Sequence, residues 1–591
     1  MTVKAYQKDY PRPQFVREDW TNLNGEWDFR FDDERIGESD KWYDGINGDR
    51  NIVVPFTYET KASGIGETTF HPCVWYERTF SVPEALRDKR VHLRFEGVDY
   101  EAKVWVNGSC VGEHKGAYSS FAFDITRYVQ LDGVNRIVIR ALDSDSTTQP
   151  RGKQRWVSDN FGCWYVQTTG IWKTVWLEYT DPQFIDSVKM TPDIDACTVR
   201  FDYRVNGADA SDPIIFSAKV SYEGKLIAEI SAAVTRPSGS LEVVLLNETA
   251  GEWKLKLWHP NHPHLYDVDF MLSRGGQVID RVRSYFGMRK ISIQGDKILL
   301  NNEPIYQRLL LDQGYWPDSH LTPPSEEALI EDIEKTKALG FNGLRKHQKI
   351  EDSRFLYWCD RLGLLVWSEM GATYEFNDDA VETFTKEWME VIRQQYNHPS
   401  IVTWVPFNES WGIAQIFVNR KQQQFTEAIY HLTKSMDQTR PVVVNDGWEH
   451  TISDIITLHD YVEKGSEFAA RYRDKEKILG NTYAFNGGKY AFASCYEYRG
   501  QPVVISEFGG IAFRNETGWG YGNQVETEAE FLERYRSITQ AIVDTEYVCG
   551  FCYTQTTDVQ QEVNGLLTED RKPKIDPEKI KPITEIPKQI Q

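Results

Sequence analysis

The sequence lacks long apolar runs and an excess of positive charge. No window of about twenty apolar residues occurs in the 591 residues, so no membrane-spanning helix is predicted. Lysine and arginine number 67 against 88 aspartate and glutamate residues, for a net charge of −21. Nucleic acids and anionic membranes are bound by basic surfaces, so neither is expected as a partner.

The sequence also has few cysteines and no recognisable targeting signal. Residues 1–9 contain no apolar core segment, so no signal peptide is predicted and a cytoplasmic location is expected. The eight cysteines are scattered, which is typical of reduced thiols inside a cytoplasmic protein. Cys549 and Cys552 form a C-x-x-C pair without a second pair or a histidine cluster. Neither a metal site nor a cofactor is therefore expected.

Aromatic residues, in contrast, are plentiful at 13% of the chain. Sugars present flat C–H faces that stack on aromatic rings, but the cores of large β-sandwiches are also rich in aromatics. The composition therefore leaves a carbohydrate-binding protein and an ordinary β-rich protein both open.

The first half of the chain predicts two β-domains. Apolar and polar residues alternate in short segments of residues 1–181, for example 27–31 and 103–106, which favours a jelly-roll sandwich. Residues 182–287 alternate again, for example at 198–203, and their length suits an immunoglobulin-like sandwich.

The second half, residues 288–591, predicts a (β/α)8 TIM barrel. Eight apolar strands are predicted at 305–311, 341–345, 364–368, 401–407, 441–445, 454–459, 502–506 and 549–555. Amphipathic helices are predicted at 325–339, 352–362, 378–396, 415–436 and 527–543. Residues 462–500 have a poor helical pattern and are predicted to form a long loop on the active-site face.

Two of these strands end in a carboxylate. Asn408-Glu409 follows the apolar run 401–407, and Glu507 follows 503–506. An acid at the end of a buried strand resists desolvation, and two such ends suggest the paired carboxylates of glycoside hydrolysis. Loop capping and pairing with arginine remain the alternative for each acid.

The flanking residues carry a resemblance to a known family. The segments Asn397-His398-Pro399-Ser400-Ile401, Asn408-Glu409-Ser410-Trp411-Gly412 and Ser506-Glu507-Phe508-Gly509 resemble glycoside hydrolase family 2. Residues 20–27, 104–108 and 170–173 are similar to its sugar-binding domain. The resemblance covers essentially the whole chain, and the family includes β-galactosidases, β-glucuronidases and β-mannosidases.

The resemblance implies a retaining mechanism with two carboxylates. Glu409 would be the general acid/base and Glu507 the nucleophile, while Asn408 would donate to the sugar 2-hydroxyl. Arg345 would orient and ionise the nucleophile, and Tyr461 would hydrogen-bond to it.

Further candidates follow other strand ends, each with a purely structural role as its alternative. They are His347 after the second strand, Asp446 and Trp448 after the fifth, Asp312 after the first and Glu369 after the third. At the eighth strand the family often carries a tryptophan platform, and Tyr553 or Gln555 stands there instead.

One difference from the β-glucuronidases of this family predicts the class of sugar. β-Glucuronidases carry Asn-x-Lys near the end of the barrel, whereas this chain has Asn564-Gly565-Leu566. A leucine cannot pair with a carboxylate, so a uronic acid is disfavoured. The chain is expected to be an exo-acting enzyme on terminal neutral β-linked sugars, with galactose favoured by its frequency in the family.

Several alternatives stay open. Within the family these are a β-glucuronidase, a β-mannosidase and a furanosidase or arabinosidase; outside it, a non-catalytic carbohydrate-binding protein. The expected partner is a small-molecule or oligosaccharide substrate. Relatives often form dimers or tetramers, so a homo-oligomer is compatible with the resemblance.

Overall fold

The computed structural model describes residues 10–209, 214–246, 254–514 and 517–588. The segment 1–9, on which the signal-peptide prediction rests, lies outside these ranges. The predicted three-part architecture of jelly roll, immunoglobulin-like sandwich and (β/α)8 barrel is confirmed.

The N-terminal part consists of two packed antiparallel sheets. One has the strand order Arg50–Val54, Gly25–Phe31, Cys73–Phe80, Asn135–Leu142, Glu101–Val106 and Ser109–Lys115. The other has the order Trp20–Asn22, Val175–Thr180, Arg90–Phe95 and Phe121–Asp124. Their alternating apolar side chains meet in one core that includes Trp27, Tyr76 and Val104.

The middle part is a smaller sandwich. A three-stranded sheet of Phe184–Asp193, Thr198–Asn206 and Ser238–Val244 packs on a four-stranded one. The four strands, in sheet order, are Lys225–Val234, Ile214–Tyr222, Tyr266–Arg274 and Gln277–Phe286. Phe201, Phe216 and Phe270 lie in the core between the two sheets.

The C-terminal part is the barrel. Seven parallel strands form one sheet in the order Ile401–Val405, Leu365–Glu369, Gly343–Lys346, Gln307–Asp312, Val548–Thr554, Val503–Gly509 and Ile456–His459. The fifth barrel strand is joined to the fourth by a short ladder, Phe407–Asn408 against Asn445–Asp446, and by a bridge from Trp404 to Val442. On its other side, the N–H of His459 in the sixth strand donates to the Gly447 carbonyl at 3.2 Å. All eight predicted strand positions are occupied.

The barrel helices follow the predicted pattern with local differences. They are Glu326–Ala338, Ser353–Leu362, Asp378–Gln395, Arg420–Met436, Gly465–Tyr472, Lys475–Leu479, Glu528–Asp544 and Pro577–Thr584. Side chains cap the predicted starts, as where Ser325 accepts from the backbone of Ala328. None of the helices in the described ranges has the length and apolar content needed to traverse a bilayer.

Two predictions for the barrel periphery were wrong. The fourth helix begins at Arg420 rather than 415, because Asn419 caps it. Residues 462–500 contain two short helices and not only a loop. The first of these starts after Lys464 without a side-chain cap, so no start signal is visible in the sequence.

The N-terminal part contacts the barrel on the face where the strands end. The backbone N–H groups of Arg151 and Gly152 both donate to the carbonyl of Ala372, at 2.9 and 3.2 Å. Nearby, the N–H of Tyr118 donates to Glu387, at 2.6 Å. A segment of the first domain is thereby fixed beside the barrel mouth.

Candidate active site

Glu409 and Glu507 lie close together at the carboxyl ends of barrel strands. Glu409 follows the short strand Phe407–Asn408, and Glu507 lies within Val503–Gly509. One carboxylate oxygen of each residue lies within 4.8 Å of the other. Retaining glycosidases separate their carboxyl groups by about 5–5.5 Å and inverting ones by about 6.5–9.5 Å, so the shorter, retaining arrangement fits.

The backbone at Glu409 adopts a conformation that non-glycine residues rarely take. Glu409 and Ser410 have φ angles of 51° and 62°, in the left-handed region. Two hydrogen bonds hold this turn: Glu409 N–H to the Asp446 carbonyl at 2.9 Å, and Ser410 N–H to Asn445 Oδ1 at 3.0 Å. Such strain typically persists where surrounding contacts fix it at a functional site, and here it ends the strand at the acid.

Arg345 ties Glu507 to other acids of the barrel interior. Its buried guanidinium donates to Glu369 and Glu507 and lies 2.8 Å from Asp446 Oδ2. Burial alone would raise the pKa of Glu507, but the positive charges of His459 and Arg345 outweigh it and lower that pKa below its ordinary value. Glu507 is therefore an ionised carboxylate at neutral pH.

Tyr461 completes the surroundings of Glu507. Its hydroxyl donates to Oε2 of Glu507, and its ring stacks on Tyr521 with centroids 3.4 Å apart. The stacked ring fixes the direction of the hydroxyl, so this residue stands where the sequence prediction put it.

His459 was not among the sequence candidates, yet it bridges the two glutamates. Its Nδ1 lies 2.8 Å from Oε1 of Glu409 and 3.5 Å from Oε2 of Glu507, and its Nε2 lies 3.0 Å from Asp446 Oδ2. Burial would lower the pKa of His459, but Glu507 and Asp446 raise it to about 10. The only sequence signal was its place at the end of the sixth strand, two residues before Tyr461.

The trio of Glu409, His459 and Glu507 also offers three atoms at metal-ligand spacing. Both ring nitrogens of His459 face carboxylates, so both carry protons at neutral pH. The contacts of this trio are therefore those of a charged hydrogen-bond network.

His347 and Glu369 form one unit. Glu369 accepts from Arg345 and from the backbone and side chain of Gln348, and its Oε1 lies 2.9 Å from His347 Nδ1. Protein donors contact both oxygens of Glu369, and its role as a sugar ligand stays a prediction. Burial, followed by the charge of Lys153, lowers the pKa of His347 well below its usual range. The Nδ1 atom of this ring lies 3.2 Å from Arg345 Nη1, which can only donate.

Three predicted residues offer groups without a protein partner. The side-chain nitrogen of Asn408, the indole nitrogen of Trp448 and Oδ1 of Asp446 are buried and unbonded among the described residues. Trp448 lies against His459, with ring centroids 5.5 Å apart. Buried polar groups normally find partners, so a ligand-binding role for Asn408, Trp448 and Asp446 stays a prediction with which these unbonded atoms are compatible.

Asp312 and Tyr553 face away from the barrel mouth, whereas Gln555 lies beside Gln313, and a sugar-binding role for Gln555 stays a prediction. Asp312 pairs with Lys346 at 2.6 Å on the side of helix Ser353–Leu362, because side chains alternate along a strand. Tyr553 packs outward against Tyr535. Gln555 is engaged at both ends, accepting from Gln313 at 2.6 Å and donating to Asn564 at 2.7 Å.

The first domain contributes to the mouth, which the sequence did not predict. Trp164 lies 5.7 Å from Trp411, centroid to centroid, and Tyr165 donates to the buried carboxylate of Glu562. Lys153 lies over the ring of Trp411 at 4.7 Å. The density of aromatics between 156 and 165 was the available signal.

Three family models match the chain in order. They are the sugar-binding domain of glycosyl hydrolases family 2 at residues 20–182, the family 2 domain at 183–289, and the family 2 TIM barrel domain at 291–586. The chain belongs to glycosyl hydrolases family 2. The resemblance inferred from the sequence motifs is thereby confirmed.

Similar proteins within family 2 carry two different names. A β-galactosidase of Thermoanaerobacter pseudethanolicus is 27% identical over 66% of this chain and 51% of its own length. A putative β-glucuronidase of Formosa agariphila is 25% identical over 80% of this chain and 56% of its own length, so these alignments span about half of each relative. The β-glucuronidase of Felis catus is 24% identical over 96% of this chain and 90% of its own length.

Solved structures show the same fold. The apo structure of a β-glucuronidase from Ruminococcus gnavus matches with a TM-score of 0.79 and 20% identity, over 98% of this chain and 100% of that one. At this identity the match describes the architecture alone.

Proposed function

We propose that this family 2 chain is a retaining exo-β-glycosidase. The observation that carries the proposal is the pair Glu409 and Glu507 at the barrel mouth. A carboxylate oxygen of one lies within 4.8 Å of a carboxylate oxygen of the other, and the two side chains have different hydrogen-bond partners. Glu507 is held ionised by His459 and Arg345 and accepts from Tyr461, as a nucleophile requires. Glu409 is the more accessible of the two, with 18% of its side chain exposed.

The reaction proceeds in two displacements. An oxygen of Glu507 attacks the anomeric carbon, the bond to the aglycone oxygen breaks, and Glu409 gives its proton to that oxygen. Water then attacks the same carbon, Glu409 takes a proton from the water, and Glu507 leaves as a carboxylate. His459 hydrogen-bonds one oxygen of Glu409 throughout, which leaves the other oxygen to exchange the proton.

Action on chain ends is supported by the first domain. Tyr165 and the segment around it bond to residues that follow the eighth strand, so one side of the mouth is covered. A covered mouth favours a pocket for one terminal sugar over an open groove.

The finer choice of sugar has two candidates. The neutral sugar predicted from Leu566, with β-galactosides first, is supported by the Thermoanaerobacter relative. A β-glucuronide is supported by the names of relatives that align over nearly the whole chain. A panel of nitrophenyl β-glycosides, including galactoside, glucuronide, mannoside and arabinosides, separates these substrates. Failure to cleave any of them would reject the enzyme proposal in favour of a carbohydrate-binding protein.

Azide rescue tests the roles of the two acids. With an activated β-glycoside, Glu507→Gly should regain turnover in azide and yield the inverted α-glycosyl azide. Glu409→Ala should instead yield the retained β-glycosyl azide, because its nucleophile is intact. Identical stereochemistry from both variants would contradict the assignment. Glu449→Ala is a control, because Glu449 lies near the mouth but pairs with Lys489 and Ser410.

A further inference from the structure

The first domain inserts a lysine into the barrel mouth. Lys153 lies on a segment fixed on one side to the loop after the third strand, through Gly152 and Ala372. On the other side, the backbone N–H of Tyr165 donates to the Lys153 carbonyl at 2.8 Å, and Tyr165 itself bonds to Glu562. The position of the lysine is therefore set by two barrel loops and not by its own domain alone.

The side chain of Lys153 is largely buried, and its ammonium group has no ion pair among the described residues. The residue is 6% exposed, and its Nζ lies 4.7 Å from the ring centre of Trp411 and 6.0 Å from that of Trp164. Among the described residues, no carboxylate oxygen lies within 4.0 Å of it. Its polar neighbour is the thiol of Cys163.

The other buried lysines of the described chain are bonded differently. Lys346 has carboxylate oxygens of Asp312 and Glu351 at 2.6 and 2.5 Å. Lys349 and Lys173 donate to backbone carbonyls at 2.8 and 3.0 Å. Lys153 differs from these lysines, because among the described residues its ammonium contacts neither a carboxylate nor a backbone carbonyl, and a charge in a largely buried side chain is costly without such partners.

The ammonium faces the same space as the predicted sugar ligands. Burial would lower the pKa of Lys153, but Cys163, Glu562 and Glu507 raise it, so the group stays charged. Its charge is, after burial, the largest influence lowering the pKa of His347. Trp411, over which it lies, is two residues from Glu409 in the chain and 6.0 Å from the His347 ring.

We propose that Lys153 is a specificity-determining residue that binds an anionic substituent of the terminal sugar, either a carboxylate or a sulfate ester. The proposal rests on the glycosidase function above and names its substrate class. The anionic group of the ligand supplies the negative charge that Lys153 does not find in the protein. The indoles of Trp411 and Trp164 exclude water from the resulting ion pair.

The chain has Asn564-Gly565-Leu566 in place of the Asn-x-Lys of β-glucuronidases. The amide of Asn564 is engaged by Gln555 and donates to Glu562 at 3.1 Å. A cation from another domain reaches the same mouth, so Leu566 does not by itself exclude a charged sugar.

The test compares Lys153→Met, which keeps the apolar stem, with Lys153→Arg, which keeps the charge. Three substrates are used: nitrophenyl β-galactoside, β-glucuronide and 6-sulfo-β-galactoside. Wild type should favour one of the two anionic substrates, and which one identifies carboxylate or sulfate. For the favoured anionic substrate, Lys153→Met should lower kcat/KM by about 10- to 100-fold, mainly through KM, with little change for the galactoside. Lys153→Arg should retain much of the preference.

Two controls separate the possible failures. Lys61→Met removes an exposed lysine and should change nothing. Calorimetric titration of galactose, glucuronate and galactose 6-sulfate into wild type and Lys153→Met reports binding without catalysis, and circular dichroism checks folding. A preference for galactose in both assays, or an equal loss for all three sugars, would overturn the role of Lys153. Tight anion binding without cleavage of any glycoside would reject the glycosidase and keep the anion site.

Discussion

Nδ1 of His459 lies 2.8 Å from Oε1 of Glu409, and the same nitrogen lies 3.5 Å from Glu507. One imidazole therefore touches both carboxylates whose cooperation the proposed reaction needs. Its second nitrogen is fixed by Asp446, which also pairs with Arg345. His459 and Arg345, both positively charged, thereby connect Glu409, Glu507 and Asp446 in one network.

The first prediction concerns the acidic limb of the activity profile. The charge of His459 is, after burial, the largest influence on the pKa of Glu507, and it lowers that pKa. His459→Gln removes the charge, so the acidic limb of kcat/KM against pH should move to higher pH. We also expect kcat to fall by about 10- to 100-fold.

The matched control for that profile is His431→Gln, which replaces an exposed histidine on an outer helix. Its profile should overlay that of wild type. A loss of activity in His459→Gln with an unmoved acidic limb would assign His459 a purely structural role.

The second prediction concerns stability against pH. The folded state raises the pKa of His459 from 6.5 to about 10. Below about pH 6.5 both folded and unfolded chains hold the proton, so the full stabilisation is present. As the pH rises toward 10, the unfolded chain gives up its proton first and this stabilisation is lost.

Denaturant unfolding of wild type and His459→Gln at a series of pH values measures the effect. The difference in unfolding free energy between the two proteins should shrink by on the order of a few kcal/mol between pH 6.5 and 10. A difference that stays constant over this range would show that the charge of His459 does not stabilise the fold.

The third prediction concerns Tyr461, whose hydroxyl donates to Glu507 while its ring stacks on Tyr521. Tyr461→Phe keeps the stack and removes the donor. A hydrogen bond to a charged group is worth about 1.5–3 kcal/mol, so kcat/KM should fall by about 10- to 100-fold with an unchanged melting temperature. Tyr553→Phe is the control, because that hydroxyl faces the helix layer and accepts from Ile511 at 3.4 Å. Equal losses in both variants would contradict the assignment.

Local signals in the sequence predicted much of the barrel. The helix Glu528–Asp544 begins with a capping box from Thr527 and Glu530, and such starts are readable from sequence. The helix Gly465–Tyr472 has no side-chain cap, and glycine favours other conformations, so its pattern was not recognised. The fifth strand was located by its apolar residues, although its ladder is reduced to Asn445–Asp446.

The site was predictable only where a strand end fixes the direction of a side chain. Glu507 and Arg345 face the barrel interior, as expected for their strands. At the first strand, Asp312 faces outward, whereas the next residue, Gln313, lies at the mouth. A shift of one residue along a strand reverses the direction of each side chain, and the sequence does not define the strand position to one residue. Lys153 is 192 positions before Arg345 and reaches the mouth only through domain packing, which no local pattern encodes.

The last prediction concerns Asn408. Its Oδ1 accepts from Arg345 at 3.2 Å, which directs the unbonded side-chain nitrogen into the mouth. A bond from this nitrogen to the sugar 2-hydroxyl strengthens in the transition state, so Asn408→Ala should lower kcat by about 10²-fold on a normal glycoside. On the matching 2-deoxy glycoside the same variant should cost much less, because the bond is already missing. Kinetics of both proteins on both substrates form a double-mutant cycle, and an equal loss on the two substrates would place the effect of Asn408 in the support of Arg345 instead.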